Sequence, residues 1–310
     1  MADLRVREFG LEFANPVVVS SGPTGFGPIL AETVDMRRIG AFTCKTVTRK
    51  KREGNPPPRL VDCGYGIIAS IGLQNPGIEE FVRETLPSAD AFGTRLIVSI
   101  AGFCLEDFAQ MASLLETVHG FDILELNLSC PNVESGLMNP SEDPRCAGSI
   151  VAEVKKHFAS RPVTVKLSPE SLPQDTFIRS CESSGADGFT LFNAYHGARF
   201  DINTGRPFLR RTEGAYSSPA LKPIVLKKIR DARHVTDRPI IATGGASTAE
   251  DILEFILAGA SLVGFGLVGM IDPEALEELP LHLERCLEAR GFVSLDEYCR
   301  YLRRTAEHGR

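Results

Sequence analysis

The chain has 310 residues, 43% hydrophobic and 24% charged, which permits one large domain or two ordinary ones around a sizeable core. A net charge of −6 supplies no basic field for nucleic acid or an anionic membrane, and no apolar run approaches the length of a membrane span. No apolar segment followed by a cleavage signal opens the chain, so a cytoplasmic location is expected.

The chain begins with a pattern that predicts a short β-hairpin over residues 4–13, with Gly10 in its turn. A rhythm follows of apolar strand, Gly- or Asn-rich loop and amphipathic helix. Strand one is expected at 16–20, a helix at 29–39 closed by Gly40, and strand two at 41–46. A long polar stretch, 47–77, interrupts the rhythm before a helix at 78–86 and strand three at 95–100. Leu105, Phe108, Ala112 and Leu115 recur at helical spacing, and Gly120 ends that helix.

Strand four is the run Asp122-Ile-Leu-Glu-Leu-Asn-Leu, which delivers Asn127, Ser129, Cys130 and Asn132 to its C-terminal end. A helix at 147–158, strand five at 163–167, a helix at 173–184 and strand six at 188–192 continue the alternation. A second long loop, 193–218, precedes a helix at 219–233 and strand seven at 239–242. Ser247-Thr-Ala-Glu250 has the pattern of a capping box, and Ile252, Phe255 and Ile256 form the buried stripe of the helix it opens. Strand eight at 261–266 and helices near 273–289 and 295–306 complete the chain.

Eight strands alternating with helices, with no Ser/Gly-rich linker, predict an α/β fold of the (β/α)8 TIM barrel type over 1–310 as one domain. The N-terminal hairpin and two extended βα loops are additions to it. In such a barrel the loops after the strand C-termini build the site.

The first candidate constellation is a phosphate cup. Thr243-Gly244-Gly245 follows strand seven and Gly264-Phe-Gly266 ends strand eight, where barrels present backbone N–H groups to phosphate. The alternative is a pair of tight turns. The second is Lys45 and Lys166 at strand ends, costly to bury unless they meet an anion or a reactive group. They can stabilise negative charge, and Lys166 can alternatively form a Schiff base in a phosphate-binding lyase or isomerase. The third is Asn127, Asn132 and Asn193, whose carboxamides suit a ring carrying alternating C=O and N–H groups.

Cysteines stand at positions 44, 63, 104, 130, 146, 181, 286 and 299, without the paired spacing of zinc or iron–sulfur ligation, so no metal site is expected. Most should be reduced and buried as small hydrophobes. Cys130, in the loop after strand four, can instead act as an acid or base if its thiolate is accessible. His196 lies in the loop after strand six and is either a site residue or a solvated one.

The chain resembles the class 1 dihydroorotate dehydrogenases, the B type in particular. The matching stretches run nearly end to end: Asn15-Pro-Val with Ser20-Ser-Gly22, Cys44-Lys-Thr-Val-Thr48, Gly54-Asn-Pro-Pro-Pro-Arg59, Ser70-Ile-Gly-Leu-Gln-Asn-Pro-Gly77, Glu125-Leu-Asn-Leu-Ser-Cys-Pro-Asn-Val133, Val165-Lys-Leu-Ser-Pro169, Gly185-Ala-Asp-Gly188 and Thr243-Gly-Gly245. The dihydropyrimidine dehydrogenases share the Asn-Leu-Ser-Cys-Pro motif. The resemblance implies oxidation of dihydroorotate to orotate, a step of pyrimidine biosynthesis, with FMN as cofactor.

By matching positions, Ser21, Lys45, Thr46, Asn127, Lys166, Gly244, Gly245 and Gly266 would hold the flavin. Lys45, Ile71, Gly72, Leu73, Asn127, Asn132 and Asn193 would line the substrate pocket. Cys130 would take a proton from one ring carbon, beside Lys45, while hydride leaves the adjacent carbon for flavin N5. The resemblance also implies a homodimer and a separate FAD- and iron–sulfur-containing electron-transfer subunit.

Departures from the family pattern are Ala69 and Ala194 where it carries polar residues, and Ser99 where it carries asparagine. Gly214-Ala-Tyr-Ser-Ser218 and Gly266-Leu267 differ from its usual loops as well. Ala69 and Ala194 keep open a second expectation, a flavin oxidoreductase of the same chemistry acting on a different ring.

Overall fold

The structure, a computed structural model, describes residues 1–129 and 140–308. Cys130 and Asn132 lie outside the described residues.

The chain opens with an antiparallel pair, β1 (Val6–Glu8) and β2 (Leu11–Phe13). The barrel begins with β3 (Val17–Val19) and β4 (Ala41–Thr43). Short β5 (Val47–Thr48) extends beside it, and β6 (Leu60–Asp62) and β7 (Ile67–Ala69) form a hairpin outside it. The chain returns to the barrel with β8 (Arg95–Ala101), β9 (Ile123–Asn127), β10 (Val163–Leu167) and β11 (Gly188–Leu191). It leaves again for β12 (Tyr195–Ala198) and β13 (Glu213–Ser217), then adds β14 (Ile240–Thr243) and β15 (Leu262–Phe265).

Parallel pairing runs β3-β4-β8-β9-β10-β11-β14-β15, and β15 pairs with β3, so eight strands close on themselves. This is the expected (β/α)8 barrel. Its strands read as nearly continuous apolar runs because helices cover their outer faces while side chains fill the inside.

Alternate residues of each strand point inward. At the N-terminal end of the barrel Val18, Ala41, Ile97, Ile123, Ile241 and Leu262 form one inner cluster, closed from below by Phe13 with Phe9 and Leu11. A Cβ on Gly188 would run into the Phe9 ring, so that glycine is the space the hairpin occupies. The inner residues turn polar one layer higher: Ser99, Glu125, Thr164 and Thr190 are all buried, and Thr190 Oγ1 donates to Glu125 Oε2 at 2.8 Å.

The two stretches expected as long loops, 47–77 and 193–218, hold more structure than that. They pair antiparallel in the order β12-β13-β7-β6, a four-stranded sheet over the barrel mouth.

Helix 29–39 is a second correction. Only Pro28–Ala31 is α-helical, and a separate 3-10 turn spans Met36–Arg38. The β-branched Thr33 and Val34 disfavour continuation, and Asp35, extended and accepting from the Arg37 N–H, starts the new turn. The helix from Ile78 persists to Asp90 through a widened turn, Phe81–Thr85, just before Pro87, which has no N–H to give the ladder.

The capping box lies one residue later than expected. Thr248 and Asp251 form it, and the helix is Ala249–Ala258. Among the described cysteines Cys44, Cys146 and Cys181 are buried, whereas Cys63, Cys104, Cys286 and Cys299 are half-buried, so fewer are core thiols than expected. Burial pushes the Cys44 and Cys181 thiols up to about 12, which leaves them inert. Among the described residues no helix is long and apolar enough to cross a membrane.

Candidate active site

A cavity of about 910 Å³ lies between the C-terminal ends of the barrel strands and the four-stranded roof. The structure brings the expected flavin set together there: Ser21, Lys45, Thr46 and Asn127 with Lys166, and Gly244, Gly245 and Gly266 on the far side. Ile71, Gly72, Leu73 and Asn193 line the same space.

The floor is a hydrogen-bonded network centred on Thr46. Its hydroxyl lies 2.9 Å from Ser99 Oγ and 3.3 Å from Ser21 Oγ, and Asn127 Nδ2 donates to it at 3.1 Å. Ser21 Oγ in turn donates to the Cys44 carbonyl at 2.8 Å. Asn127 Oδ1 accepts from the Ser129 N–H, so the carboxamide is oriented from both ends. Fixed dipoles of this kind cost little reorganisation when a ligand arrives.

Two lysines rise from this floor. Lys166 is 6% exposed, and Lys45 is half-buried. Neither ammonium has an ion-pair or hydrogen-bond partner among the described residues. Burial holds Lys45 below the ordinary lysine value, and the nearby Arg59 charge lowers it further. Two cations facing a cavity, neither paired with a carboxylate among the described residues, make a site for an anionic or electron-accepting ligand.

The Gly-rich turns behave differently from one another. Gly244 and Gly245 have φ of 116° and 89°, and a Cβ on Gly245 would strike the Lys222 backbone N. At Gly264 a Cβ would lie 2.6 Å from Ser20 Oγ. Gly266, with φ of −112°, needs no left-handed conformation, and a Cβ there would meet Pro23 only at 3.5 Å. Close approach, rather than positive φ, is what the strand-eight turn contributes. Ser20 Oγ is buried beside this turn without a partner among the described residues.

Asp251 braces the cup from behind. Its carboxylate accepts from the Ser247 and Thr248 N–H groups at 2.8 and 2.9 Å and from Lys222 Nζ at 2.7 Å. Burial pushes this acid up, but the Lys222 and backbone hydrogen bonds outweigh it and hold it below its ordinary 3.8. Lys222 is thus committed to Asp251 and Glu254, and the cup presents backbone to a ligand instead.

The 70–74 segment is shaped by residues whose role no sequence signal disclosed. Asn55 donates to this segment from both main chain and side chain: its N–H donates to the Ile71 carbonyl at 2.9 Å, and Nδ2 donates to Ser70 Oγ at 3.1 Å. Gly72, with φ of 73°, leaves room for the Asn55 side chain. Arg59 ties the same segment to its own loop, donating to Gln74 Oε1 at 2.6 Å and to the Glu53 carbonyl at 3.0 Å. A sequence motif, Gly54-Asn-Pro-Pro-Pro-Arg59, marked the stretch without saying what it holds.

His196 does reach the cavity, at its rim. Glu170 Oε2 lies 2.6 Å from its Nδ1, and Glu170 Oε1 accepts its N–H at 3.1 Å. Asn193 is fixed by its N–H to the Leu167 carbonyl, and its Oδ1 accepts from Ala194. Among the described residues no cluster of three or more His, Cys, Asp or Glu is placed to hold a metal ion.

Comparison with known proteins agrees with this geometry. The sequence model of the family described as "Dihydroorotate dehydrogenase" matches residues 3–287. A curated relative from Pelobacter propionicus, "Dihydroorotate dehydrogenase B (NAD(+)), catalytic subunit", is 38% identical over 95% of this chain and 97% of its own. Its namesake from Caldicellulosiruptor bescii is 38% identical over the same shares. The one from Bacillus pumilus is 37% identical, covering 95% of this chain and 94% of its own.

Proposed function

The chain belongs to the dihydroorotate dehydrogenase family of flavin-dependent oxidoreductases acting on CH–CH bonds, and from that membership we propose that it oxidises dihydroorotate to orotate with FMN. The observation that carries this reading is the pair of ammonium groups, Lys45 and Lys166, that meet no partner among the described residues, over the Thr46–Asn127 network. Family membership sets aside the Schiff-base reading of Lys166.

The cavity fits a phosphorylated flavin. Ser21, Thr46, Asn127 and Lys166 would hold its ring system, and Gly244, Gly245 and Gly266, beside the orphaned Ser20 hydroxyl, would hold its phosphate. FMN, when bound, supplies the acceptor for the two electrons that leave with the hydride.

The chain's own residues do the rest. Lys166 places positive charge where the reduced ring gains negative charge. Lys45 and the carboxamides of Asn127, Asn132 and Asn193 orient the substrate's charged and amide edges, and Ile71, Gly72 and Leu73 close against its ring. Cys130 takes the proton from one ring carbon as hydride departs from its neighbour. The roof excludes water from the reacting atoms.

In this reading residues 1–310 form one catalytic barrel, paired as a homodimer in the cytoplasm. The relatives named as NAD-linked catalytic subunits support a separate subunit that carries electrons onward, which the family resemblance makes an FAD- and iron–sulfur-containing one. Heat release of the cofactor followed by mass measurement should give FMN, and a dye-linked assay should yield one orotate per two electrons. A colourless protein, or one that forms no orotate, contradicts the proposal.

A further inference from the structure

Glu125 and Asp251 are the buried acids among the described residues, and Asp251 is matched by Lys222. Glu125 is 2% exposed and meets no cation among the described residues. It belongs to the inner face of β9. Its neighbours Leu124 and Leu126 join the core between strands and helices, so Glu125 and Asn127 point into the barrel. The register partners of Glu125 are Ser99 on β8 and Thr164 on β10, both buried and both hydroxyls.

The Glu125 side chain crosses β10. Its Oε2 accepts from Thr190 Oγ1 at 2.8 Å, and Thr190 on β11 is the register partner of Lys166. The carboxyl group therefore reaches the level at which Lys166 leaves its strand. No hydrogen bond closes between them, and Oε1 has no partner among the described residues. Lys166 lines the cavity and Glu125 does not, so the acid lies one layer below the cation.

Burying either charge alone is costly. Opposite charges on adjacent strands of a closed barrel are screened far less than exposed ones, and they attract without touching. We propose that Glu125 is held as a carboxylate and is the standing counter-charge of Lys166, tempering that lysine's pull on the electrons the flavin gains. This rests on the FMN reading given above and deepens it. Lys166 favours the reduced ring, Glu125 opposes it, and the balance sets the reduction potential at which the site accepts hydride. Glu125 is thus a positioning residue, acting through charge from beneath the floor.

The test is an anaerobic reductive titration of the yellow holoprotein against a reference dye. Glu125→Gln keeps the side chain's shape and an acceptor for Thr190 while removing the charge. Unit charges about 12 Å apart at an effective dielectric constant of about 20 couple by about tenfold. The variant should therefore favour the reduced flavin by about tenfold, an upward shift of about 30 mV for a two-electron couple. Thr190→Val keeps the charge and removes its anchor, so its equilibrium should stay within about twofold of the wild type.

An unmoved or lowered potential in Glu125→Gln would overturn the inference and leave the flavin reading standing. Equal upward shifts in both variants would assign the effect to lost packing and overturn it too. A colourless Glu125→Gln beside a yellow wild type would make Glu125 a residue of the fold alone. A colourless wild type would sink the assigned reaction and the inference with it.

Discussion

The two ends of this barrel are built from the same strands and do opposite things. At the N-terminal end the inward residues are Val18, Ala41, Ile97, Ile123, Ile241 and Leu262, and the β1–β2 hairpin seals them with Phe13. Two residues or so further along the same strands, the inward positions are Thr43, Ser99, Glu125 and Thr190, and then Lys45, Asn127 and Lys166. Apolar packing closes the barrel where it is plugged. Charge that meets no partner among the described residues is tolerated where it opens, because the closed strands below hold the backbone in place.

That contrast can be broken at the open end first. Cys130→Ala should keep the bound flavin and slow substrate-driven flavin reduction by about 10²–10⁴-fold, read by rapid mixing. An unchanged rate would remove Cys130 from the mechanism. At the plugged end Phe13→Ala should cost about 3–5 kcal/mol of unfolding free energy in a denaturant titration. Its flavin affinity should not change under native conditions, and a loss there would mean that the two ends are coupled.

Lys166→Met sharpens the comparison from the other side. It removes a buried charge that has no partner among the described residues, so the free barrel should be no less stable in denaturant, while flavin affinity falls by about 1.5–3 kcal/mol. Equilibrium dialysis of the flavin measures the second quantity. A destabilised barrel with undiminished flavin binding would assign Lys166 to structure.

The smallest effects concern pH. The Asp251 carboxyl is held below 3.8 by Lys222 and the loop N–H groups, against the opposing effect of burial. Its contribution to stability is therefore present above pH 3.8 and lost as pH falls through its depressed folded value. Acid denaturation of Asp251→Asn should lack that segment, and an identical acid profile would count against the brace. Lys45, lowered by burial and by Arg59, should surrender its proton before pH 10.5, so affinity for an anionic ring should decline on that alkaline side. Lys45→Arg should push the decline upward, as followed by ligand titration across pH.

The barrel was legible in the sequence because its strands are contiguous apolar runs separated by helical periodicity. The roof was not. Its strands are three to five residues long and pair Ala69 with Ala215, far apart in the chain, so the local pattern was too short to separate from a loop. Helix 29–39 failed because apolar spacing does not register Thr33, Val34 and the capping role of Asp35. The capping box slipped by one residue because Glu250 and Asp251 both follow acceptable cap residues, and Asp251 alone also meets Lys222.

In the site, endpoints were legible and connections were not. Lys45, Thr46, Asn127 and Lys166 announced themselves by type and position at strand ends. That Ser99 joins Thr46, and that Asn55 and Arg59 shape the 70–74 segment, depends on distances no one-dimensional spacing contains.

The measurement that bears most directly on this account is an anaerobic titration of the purified yellow protein with dihydroorotate. The open end of the barrel, as described, should bleach its flavin band with about one equivalent of substrate per site and release orotate. A band that stays fully oxidised under excess dihydroorotate would contradict it.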